Sequence, residues 1–380
     1  MPRTALLVTL CCAAAVWSAE PAPAPSPGGR DAPSREVVLF TAGTEGYASF
    51  RIPAVIVGKE GTLLAFAEGR KKGTSDTGDI DMVLRRSTDG GRTWGPLQVI
   101  VDDGTDTVGN PCPVLDRTTG RIWLPLTRNA GGNSVAKNKA ASGPGSREVL
   151  MCFSDDDGET WSKPENISAV VKPENWTWYA TGPGVGIQLK DGRLVIPCDH
   201  RVKGGDDSYS HVIYSDDHGK TWKVGGRATA KTNECAVIER DDGSLLLNMR
   251  SNHGKNRRAL AISTDRGATW SEIAFDDALI EPTCQASLIR VEGLRGKGVL
   301  VFANPASTKR ERMTVRLSTD QGKTWPGARV MYAKSAAYSS LVVLPNEQLG
   351  CLYERDGYKE IVFARFGLAW LAAGRDAAGP

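Results

Sequence analysis

Apolar and polar residues alternate along most of the chain in short runs, a pattern typical of β-strands and not of amphipathic helices. The apolar runs come in pairs, each joined by a short polar turn, and six such pairs follow one another. They are Phe50–Val57 with Leu63–Ala67, Pro113–Leu115 with Ile122–Leu126, Gly184–Leu189 with Leu194–Cys198, Glu234–Glu239 with Leu245–Met249, Gln285–Val291 with Val299–Ala303, and Ser339–Leu344 with Leu349–Tyr353. The pattern predicts an all-β protein built from six similar units.

A second repeat is the motif Ser-x-Asp-x-Gly-x-Thr-Trp, which occurs five times and which we call the Asp box. Its Asp can accept hydrogen bonds from nearby backbone amides and its Gly can adopt a positive φ, as a tight turn requires. Its Trp offers a large flat surface for packing between neighbouring units. We therefore interpret the boxes as structural. They are Ser87–Trp94, Ser154–Trp161, Ser215–Trp222, Ser263–Trp270 and Ser318–Trp325.

Six units of short strands with Gly-rich turns predict a six-bladed β-propeller with four strands in each blade. Only five units carry an Asp box, so the sixth blade needs a fourth strand from elsewhere. The N-terminal strand Val37–Thr41 can supply that strand. Its pairing with the last blade would close the ring and remove the open edges.

The alternation of strand direction within a blade assigns features to the two faces of the propeller. The start of the first, innermost strand and the end of the second strand lie on one face. Each Asp box follows a third-strand segment and lies on the opposite face. We therefore expect the chemistry at first-strand starts and second-strand ends.

The N-terminal residues predict export. Arg3 precedes the apolar run Ala5–Trp17, which is too short to span a bilayer, and the small residues Ser18 and Ala19 follow it. The predicted organisation is a signal peptide (1–19), a Pro-rich linker (20–35), a propeller (36–371) and a short tail (372–380). The predicted location is secreted or periplasmic, without stable membrane insertion.

Composition narrows the function classes further. A net charge of +3 over 380 residues gives no nucleic-acid footprint. Six cysteines remain after the signal peptide, and they are scattered through apolar runs, so we expect buried free thiols and not a disulfide framework. The four histidines have no metal-ligand spacing, and we expect no metal site.

Six charged or aromatic residues fall on the face opposite the boxes, from separate places in the chain. They are Arg51, Asp76, Glu234, Arg250, Arg310 and Tyr338. Three arginines around one axis repel one another unless an anion binds between them, and guanidinium groups bind carboxylates in a fixed orientation. The cluster therefore predicts an anionic ligand.

The other three residues predict acid–base chemistry. A phenol has a pKa of about 10 and needs a base to attack near neutral pH, so Glu234 beside Tyr338 would form an activated nucleophile. Asp76 lies in a Gly-rich loop and can act as a mobile general acid. Asp79 and Asp81 compete for that role, but Asp81 lies in an apparent strand and is less free to reach a leaving group.

These features together resemble the sialidase (neuraminidase) superfamily, whose Asp boxes are also called BNR repeats. The resemblance covers about residues 37–371. It is carried by the five Asp boxes, by Phe-Arg-Ile-Pro at 50–53, by Asn-Pro-Cys-Pro at 110–113, by Asn-Glu-Cys at 233–235 and by the spaced arginines. It implies a six-bladed propeller with exo-α-sialidase activity.

The resemblance also implies individual roles. Arg51, Arg250 and Arg310 match the three arginines that hold the carboxylate of sialic acid. Arg312 is a rival for the third position, and the spacing to Tyr338 favours Arg310.

By the same resemblance, Asp76 matches the acid/base, Glu234 the partner glutamate and Tyr338 the nucleophile. Arg70 matches an auxiliary arginine near the sugar O4, and Asn110 lies where the N-acetyl pocket is lined.

The activity expected from these roles is hydrolysis of terminal sialic acids from glycoproteins, glycolipids and oligosaccharides, with retention and without a cofactor or metal. We expect the protein to act as a monomer. Two alternatives stay open: a non-catalytic Asp-box propeller that binds sialylated glycans, and a trans-sialidase that uses the same site.

Overall fold

The structure, a computed structural model, describes Met1 and residues 36–374, apart from 134–139, 141, 144, 293–296 and 346–347. The predicted signal peptide and linker, and most of the predicted tail, lie outside the described residues, so these boundaries stay predictions. Within the described residues the chain forms 25 strands and two short helices.

The strands group into the six predicted blades. Blade one contains β2 (Ser49–Val57), β3 (Leu63–Arg70), β4 (Ile80–Ser87) and β5 (Gln98–Val101). Blade two contains β6 (Thr107–Gly109), β7 (Val114–Leu115), β8 (Ile122–Asn129), β9 (Glu148–Ser154) and β10 (Glu165–Asn166), and the helix α1 (Ser168–Val171) follows it. Blade three contains β11 (Trp176–Thr181), β12 (Ile187–Gln188), β13 (Leu194–Val202), β14 (Ser208–Ser215) and β15 (Lys223–Arg227). Blade four contains β16 (Thr232–Glu239), β17 (Leu245–Ser251), β18 (Arg257–Ser263) and β19 (Ala274–Ile280). Blade five contains β20 (Ser287–Glu292), β21 (Gly298–Pro305), β22 (Glu311–Ser318) and the first part of β23 (Gly327–Val343). Blade six contains the second part of β23, β24 (Leu349–Arg355), β25 (Glu360–Phe366) and β1 (Val37–Thr41). The helix α2 (Leu368–Ala372) follows β25.

The N-terminal strand β1 closes the ring, as predicted. It pairs antiparallel with β25, so that Val37 lies opposite Phe363 and Thr41 opposite Glu360. The first and last strands are thus held in one blade, in which β1 is the outermost strand.

Apolar clusters fill the spaces between successive blades, with one cluster for each of the six pairs of neighbours. The cluster that joins blade six to blade one contains Phe40, Leu63 and Phe363, all at most 1% exposed. Because blade one is joined both to blade two and to blade six, the ring of contacts is complete. The predicted six-bladed β-propeller is confirmed.

The Asp boxes occupy the turns between the third and fourth strands, on the predicted face. In the first box, the Asp89 carboxylate accepts hydrogen bonds from the backbone N–H groups of Arg92 and Thr93 and from the Thr93 hydroxyl, at 2.7–3.0 Å. Gly91 of this box has a φ of 80°, and a side chain there would collide with Phe363 of blade six. The hydrogen bonds explain why the motif has Asp at its third position, and the φ and the close contact explain why it has Gly at its fifth.

The box tryptophans pack between blades, which confirms the sequence interpretation. The Trp94 ring lies 5.3 Å from that of Phe363 in blade six, and the Trp161 ring lies 5.8 Å from that of Phe66 in blade one. Each of these tryptophans joins its own blade to the one before it.

Two features of the inner strands differ from the sequence interpretation. Tyr338 was expected to begin the sixth inner strand, but it lies inside β23, which runs without a break through blades five and six. The reason is that no Pro or Gly interrupts residues 328–343. In blades two and three, Pro- and Gly-containing breaks divide the inner strands into β6 and β7 and into β11 and β12.

Two further expectations concern the cysteines and the membrane. The six cysteines of the propeller are buried free thiols, as predicted. Across the described part of the chain, neither helix has the length and hydropathy needed to cross a bilayer.

Candidate active site

Local irregularities of three inner strands shape the face opposite the boxes. In β2, β16 and β23 the antiparallel register shifts where the strand reaches that face, which marks a bulge in each strand. Ile52, Glu234 and Tyr338 lie inside these three bulges. A bulge changes the direction of the side chains beside it. Three separate strands thereby direct residues to one place on this face, which we call the mouth.

Tyr338, Glu234 and Arg250 form a connected group. The Tyr338 hydroxyl donates a hydrogen bond of 2.5 Å to Glu234 Oε1. Arg250 Nη1 lies 2.7 Å from Glu234 Oε2 and donates to the Tyr338 oxygen at 3.1 Å. The structure thus brings together the predicted nucleophile, its predicted base and one of the three predicted carboxylate-binding arginines.

The surroundings keep the Tyr338 phenol neutral in the free protein. Burial raises its pKa well above the ordinary value, and the negative charge of Glu234 raises it further. A free phenolate is therefore disfavoured, and the hydroxyl proton lies in a short hydrogen bond to Glu234.

Arg51 is held by Glu354, a residue that the sequence interpretation missed. Arg51 Nε and Nη2 donate to the two oxygens of Glu354 at 2.7 and 3.2 Å, and Glu354 is fully buried. The backbone N–H groups of Ile52 and Tyr338 donate to the same carboxylate. Glu354 lies one residue before the end of the second strand of blade six, so the expectation that the chemistry lies at second-strand ends could have identified it.

The φ of Ile52 is 59°, a left-handed conformation in which a β-branched residue is rare. This conformation falls within the β2 bulge and directs the Ile52 N–H at Glu354. The backbone next to Arg51 is thus fixed by the same carboxylate that binds its guanidinium.

Arg310 also lies beside Tyr338. Its Cζ is 5.5 Å from the centre of the Tyr338 ring, and its Nη1 donates to the Tyr358 hydroxyl at 2.9 Å. Among the described residues, none of the ion pairs includes Arg310, whereas Arg51 and Arg250 each pair with a glutamate. Among the described residues, Tyr338 has ring or hydrogen-bond contacts with Arg51, Arg250 and Arg310, and none with the rival Arg312.

Asp76 lies at the tip of the loop between β3 and β4, with its side chain 67% exposed. Its Oδ1 is 2.9 Å from Arg70 Nη1 and 3.9 Å from Arg51 Nη1. Desolvation in the mouth raises the pKa of Asp76, but Arg70 and Arg51 outweigh it and lower the pKa below the ordinary value. In the free protein, Asp76 is therefore ionised at neutral pH.

The buried Glu68 holds both Arg70 and Asn110. Arg70 Nη2 is 2.5 Å from Glu68 Oε2, and the backbone N–H of Asn110 donates to Glu68 Oε1 at 2.9 Å. A side chain at Gly109 would collide with Glu68, so only glycine leaves room for this contact. The predicted residues of blades one and two are thereby linked.

The Asn110 side chain is oriented by Arg147, another residue that the sequence interpretation missed. The Asn110 Oδ1 accepts hydrogen bonds from Arg147 Nη2 at 2.5 Å and from the Thr127 hydroxyl at 3.2 Å. Because the oxygen is occupied in this way, the amide NH2 group is the part of Asn110 that is available to a ligand. Burial lowers the pKa of Arg147 to about 10, which still leaves it charged at neutral pH.

Asp199, within β13, is a buried acid near Glu234. Burial raises its pKa to about 8, and the Glu234 carboxylate adds to this effect while Arg147 opposes it. Asp199 is therefore protonated at neutral pH and does not add a negative charge to the mouth.

Behind Asp199, His200 and His211 are both fully buried, with their Nδ1 atoms 3.1 Å apart. The sequence interpretation found no relation between these histidines. Burial lowers the pKa of His200 to about 3, so the pair is neutral. Trp176 stacks on His200 with 3.3 Å between ring centres.

Comparison with known proteins identifies the family. Residues 61–351 match the model of the BNR repeat-like domain. An exo-alpha-sialidase from Aspergillus fumigatus is 34% identical over 364 residues, which cover 87% of this chain and 86% of that protein. This chain belongs to the sialidase family.

Two other family members extend the comparison. A sialidase from Micromonospora viridifaciens is 36% identical over 389 residues, which cover 96% of this chain and 59% of that protein. The solved Hadza microbial sialidase Hz136 superposes with a TM-score of 0.83 at 32% identity, covering 88% of this chain and 69% of that one. The present sialidase-family chain thus spans about three fifths of the Micromonospora protein. The roles of its individual site residues remain predictions.

Proposed function

We propose that this protein is an exo-α-sialidase that hydrolyses terminal sialic acid from glycoconjugates with retention of configuration. The observation that carries the proposal is the group formed by Tyr338, Glu234 and Arg250, in which the phenol hydroxyl lies 2.5 Å from a carboxylate and 3.1 Å from a guanidinium. A glycan-binding propeller would have a use for the arginines. It would have no use for a phenol coupled to a base and an acid on a loop across the mouth.

The ligand is recognised by its carboxylate. Arg51 is oriented by the buried Glu354 and Arg250 by the partly buried Glu234, and Arg310 contributes a positive charge without an acidic partner among the described residues. Because these guanidinium groups are already held in place, they lose little further conformational entropy when an anion binds. They also shield the carboxylate next to the anomeric carbon, where positive charge develops as the glycosidic bond breaks.

Tyr338 is the nucleophile in this proposal. Sialic acid carries its carboxylate on the anomeric carbon, and an anionic nucleophile would approach against that charge. A neutral phenol that passes its proton to Glu234 as it attacks avoids the repulsion. Glycosidases usually use two carboxylates, and sialidases with a tyrosine are a known exception.

Asp76 is the acid/base catalyst in this proposal, although it is ionised in the free protein. Arg70 and Arg51 lower its pKa, and a bound carboxylate would add a negative charge close to Arg51. Binding would also displace water from the exposed side chain. Both changes raise the pKa of Asp76, so that substrate binding would favour the protonated form needed by the leaving oxygen.

The substrates of this proposal are sialylated glycoproteins, glycolipids and oligosaccharides. The signal-like N-terminus supports a secreted or periplasmic location, where such glycans are met. The monomeric state stays a prediction.

The experiment that tests the proposal is release of 4-methylumbelliferone from its α-glycoside of N-acetylneuraminic acid, with NMR detection of the first anomer formed. We expect fluorophore release and α-N-acetylneuraminic acid as the initial product. Initial β-product would contradict the double displacement. Binding of sialosides without cleavage would replace the hydrolase with a binding module, and transfer to added lactose in place of hydrolysis would make the protein a trans-sialidase.

A further inference from the structure

Tyr358 lies in the hairpin between β24 and β25 and contacts two arginines of the mouth. Its ring lies under the Arg51 guanidinium, with 4.0 Å from Cζ to the ring centre. Its hydroxyl accepts a hydrogen bond from Arg310 Nη1 at 2.9 Å. One side chain therefore fixes two cations that approach from different blades.

The backbone of Tyr358 is in an unfavourable conformation. Asp356, Gly357 and Tyr358 have φ values of 53°, 64° and 69° in succession. Asp and Gly tolerate this left-handed region, but a bulky aromatic residue rarely adopts it. Such a conformation persists only where the surroundings enforce it, and it is concentrated at functional sites.

Contacts from β23 enforce the conformation of this hairpin. The backbone N–H of Asp356 donates to the Ser335 carbonyl at 3.0 Å, and that of Gly357 donates to the Ser335 hydroxyl at 3.2 Å. The Tyr332 hydroxyl also hydrogen-bonds to Asp356. None of these contacts involves the Tyr358 side chain, so the turn is built independently of the arginines that Tyr358 touches.

The chemical nature of the side chain matters for charge. An acidic residue at this position would orient Arg310 but would also cancel its charge. A phenol supplies a hydrogen-bond acceptor for Arg310 and a π face for Arg51, and it leaves the positive charges in place. Arg310 has no acidic partner among the described residues, so its charge stays available to an anionic ligand.

We propose that Tyr358 is a positioning residue that holds Arg51 and Arg310 in the geometry that binds a ligand carboxylate, without neutralising either arginine. The proposal rests on the proposed function for its substrate and deepens it by assigning the device that orients two of the three arginines. It does not require Tyr358 to touch the reacting atoms.

The test uses three substitutions, Tyr358→Phe, Tyr358→Ala and Tyr358→Gly, and compares KM with kcat on the fluorogenic sialoside. Tyr358→Phe keeps the π face and removes the acceptor, so we expect KM to rise about three- to tenfold with kcat within about twofold. Tyr358→Ala and Tyr358→Gly remove both contacts, and we expect KM to rise at least tenfold in each. Unchanged KM values in Tyr358→Ala and Tyr358→Gly would overturn the proposal.

The Ala and Gly variants also separate positioning from stability. Alanine pays the left-handed conformational cost and glycine does not, so Tyr358→Gly should unfold about 2 °C higher than Tyr358→Ala. Their KM values should nevertheless be equal. If KM followed the melting temperature, the effect would be structural and the proposal would fail.

The matched control is Tyr332→Phe, which removes a hydroxyl that holds the same hairpin but contacts neither arginine. We expect wild-type KM from this variant. A rise equal to that of Tyr358→Phe would assign the effect to the hairpin and would overturn the proposal.

Calorimetric titration with 2-deoxy-2,3-dehydro-N-acetylneuraminic acid and its methyl ester distinguishes this proposal from the proposed function. We expect Tyr358→Phe to lose affinity for the free acid and not for the ester, because only the acid carries the charge. Equal losses for both probes would contradict positioning of carboxylate-binding groups. If wild-type protein binds the acid but releases no fluorophore, the proposed hydrolase function is wrong. The titration of Tyr358→Phe with the acid and the ester then still decides whether Tyr358 positions the arginines.

Discussion

The Tyr338 hydroxyl donates a 2.5 Å hydrogen bond to Glu234, although 104 positions separate the two residues in the chain. Each lies in the bulge of an inner strand, one in blade four and one in blade six. The pair therefore exists only because the propeller brings the two strands to the same axis. Its proton is the one whose transfer the proposed mechanism requires.

The first prediction concerns this pair. Tyr338→Phe keeps the ring and its packing but removes the oxygen that would form the covalent bond. We expect binding of sialic acid within about tenfold of wild type, or about 1.4 kcal/mol, and a loss of turnover by orders of magnitude. Glu234→Gln should lose rate in the same way, because the phenol then lacks its base.

The control for this prediction is Tyr214→Phe. Tyr214 precedes the third Asp box, and its ring packs against Arg193, away from the mouth. Wild-type turnover is expected there. If Tyr338→Phe also turned over at the wild-type rate, this tyrosine would not be the nucleophile.

The second prediction separates Arg310 from Arg312. Arg310→Ala removes a charged group that has no acidic partner of its own among the described residues. A hydrogen bond to a charged group contributes about 1.5–3 kcal/mol, so kcat/KM should fall by about 10- to 100-fold. Arg312→Ala should stay within about threefold of wild type. The reverse order of effects in steady-state kinetics would assign the third arginine to position 312.

The third prediction concerns Asp76. Asp76→Ala removes the proposed proton donor, and its effect should depend on the leaving group. We expect a smaller loss of kcat for the fluorogenic glycoside, whose acidic phenol needs little protonation, than for sialyl-galactose. Equal losses on both substrates would argue for a binding role and against an acid catalyst.

The fourth prediction tests the face assignment. Asp89→Ala removes several turn hydrogen bonds from the first Asp box and should lower the free energy of unfolding by about 1–2 kcal/mol. The specific activity of the folded fraction should be unchanged, because this turn lies on the face opposite the site. Denaturant titration and kinetics on the same sample measure both quantities, and a well-folded variant with a hundredfold lower rate would refute the assignment.

The fifth prediction concerns pH and Asp199. The pKa of Asp199 in the folded protein is raised to about 8 by burial and by Glu234. A folded pKa above the unfolded value means that the native state binds the extra proton, so this group lowers stability as pH rises from about 4 to 8. Above pH 8 its ionisation adds a negative charge beside Glu234, and KM for the anionic substrate should rise.

Asp199→Asn cannot ionise and provides the measurement. We expect this variant to be more stable than wild type at pH 8–9, with the difference vanishing near pH 4, and to lose the alkaline rise in KM. Asp155→Asn, which alters an exposed ion pair with Arg121, is the control and should keep the wild-type pH profile of KM. An unchanged alkaline profile in Asp199→Asn would exclude Asp199 as its source.

The fold was predictable from the sequence because its determinants are local and repeated. Each Asp box contains the residues that make its own turn, as Asp89 and Gly91 show in the first box. The closing strand was predictable because five boxes and six strand pairs leave the sixth blade without a fourth strand. Val37–Thr41 supplies that strand. Repetition lets weak local signals be counted, which a single turn or strand does not allow.

Several site residues were predictable for a different reason. Arg51, Arg250 and Glu234 lie near first-strand starts or second-strand ends. The rule that chemistry lies at those positions needs only the order of the strands. Glu354 obeys the same rule, but it holds Arg51, and strand order does not show a pairing between residues so far apart in the chain. Tyr338 was found, although its strand does not begin where the sequence suggested.

The sequence by itself determined the blades, the face on which chemistry could lie and the residue types that meet there. Only the tertiary structure decided how those groups are paired: Arg51 with Glu354, Asn110 with Arg147, and Arg310 with Tyr358. The physical reason is that bulges and left-handed residues set side-chain direction, and their geometry depends on contacts with other blades. Burial of Asp199 depends in the same way on packing from several elements, so its protonation state could not be read from its neighbours in sequence.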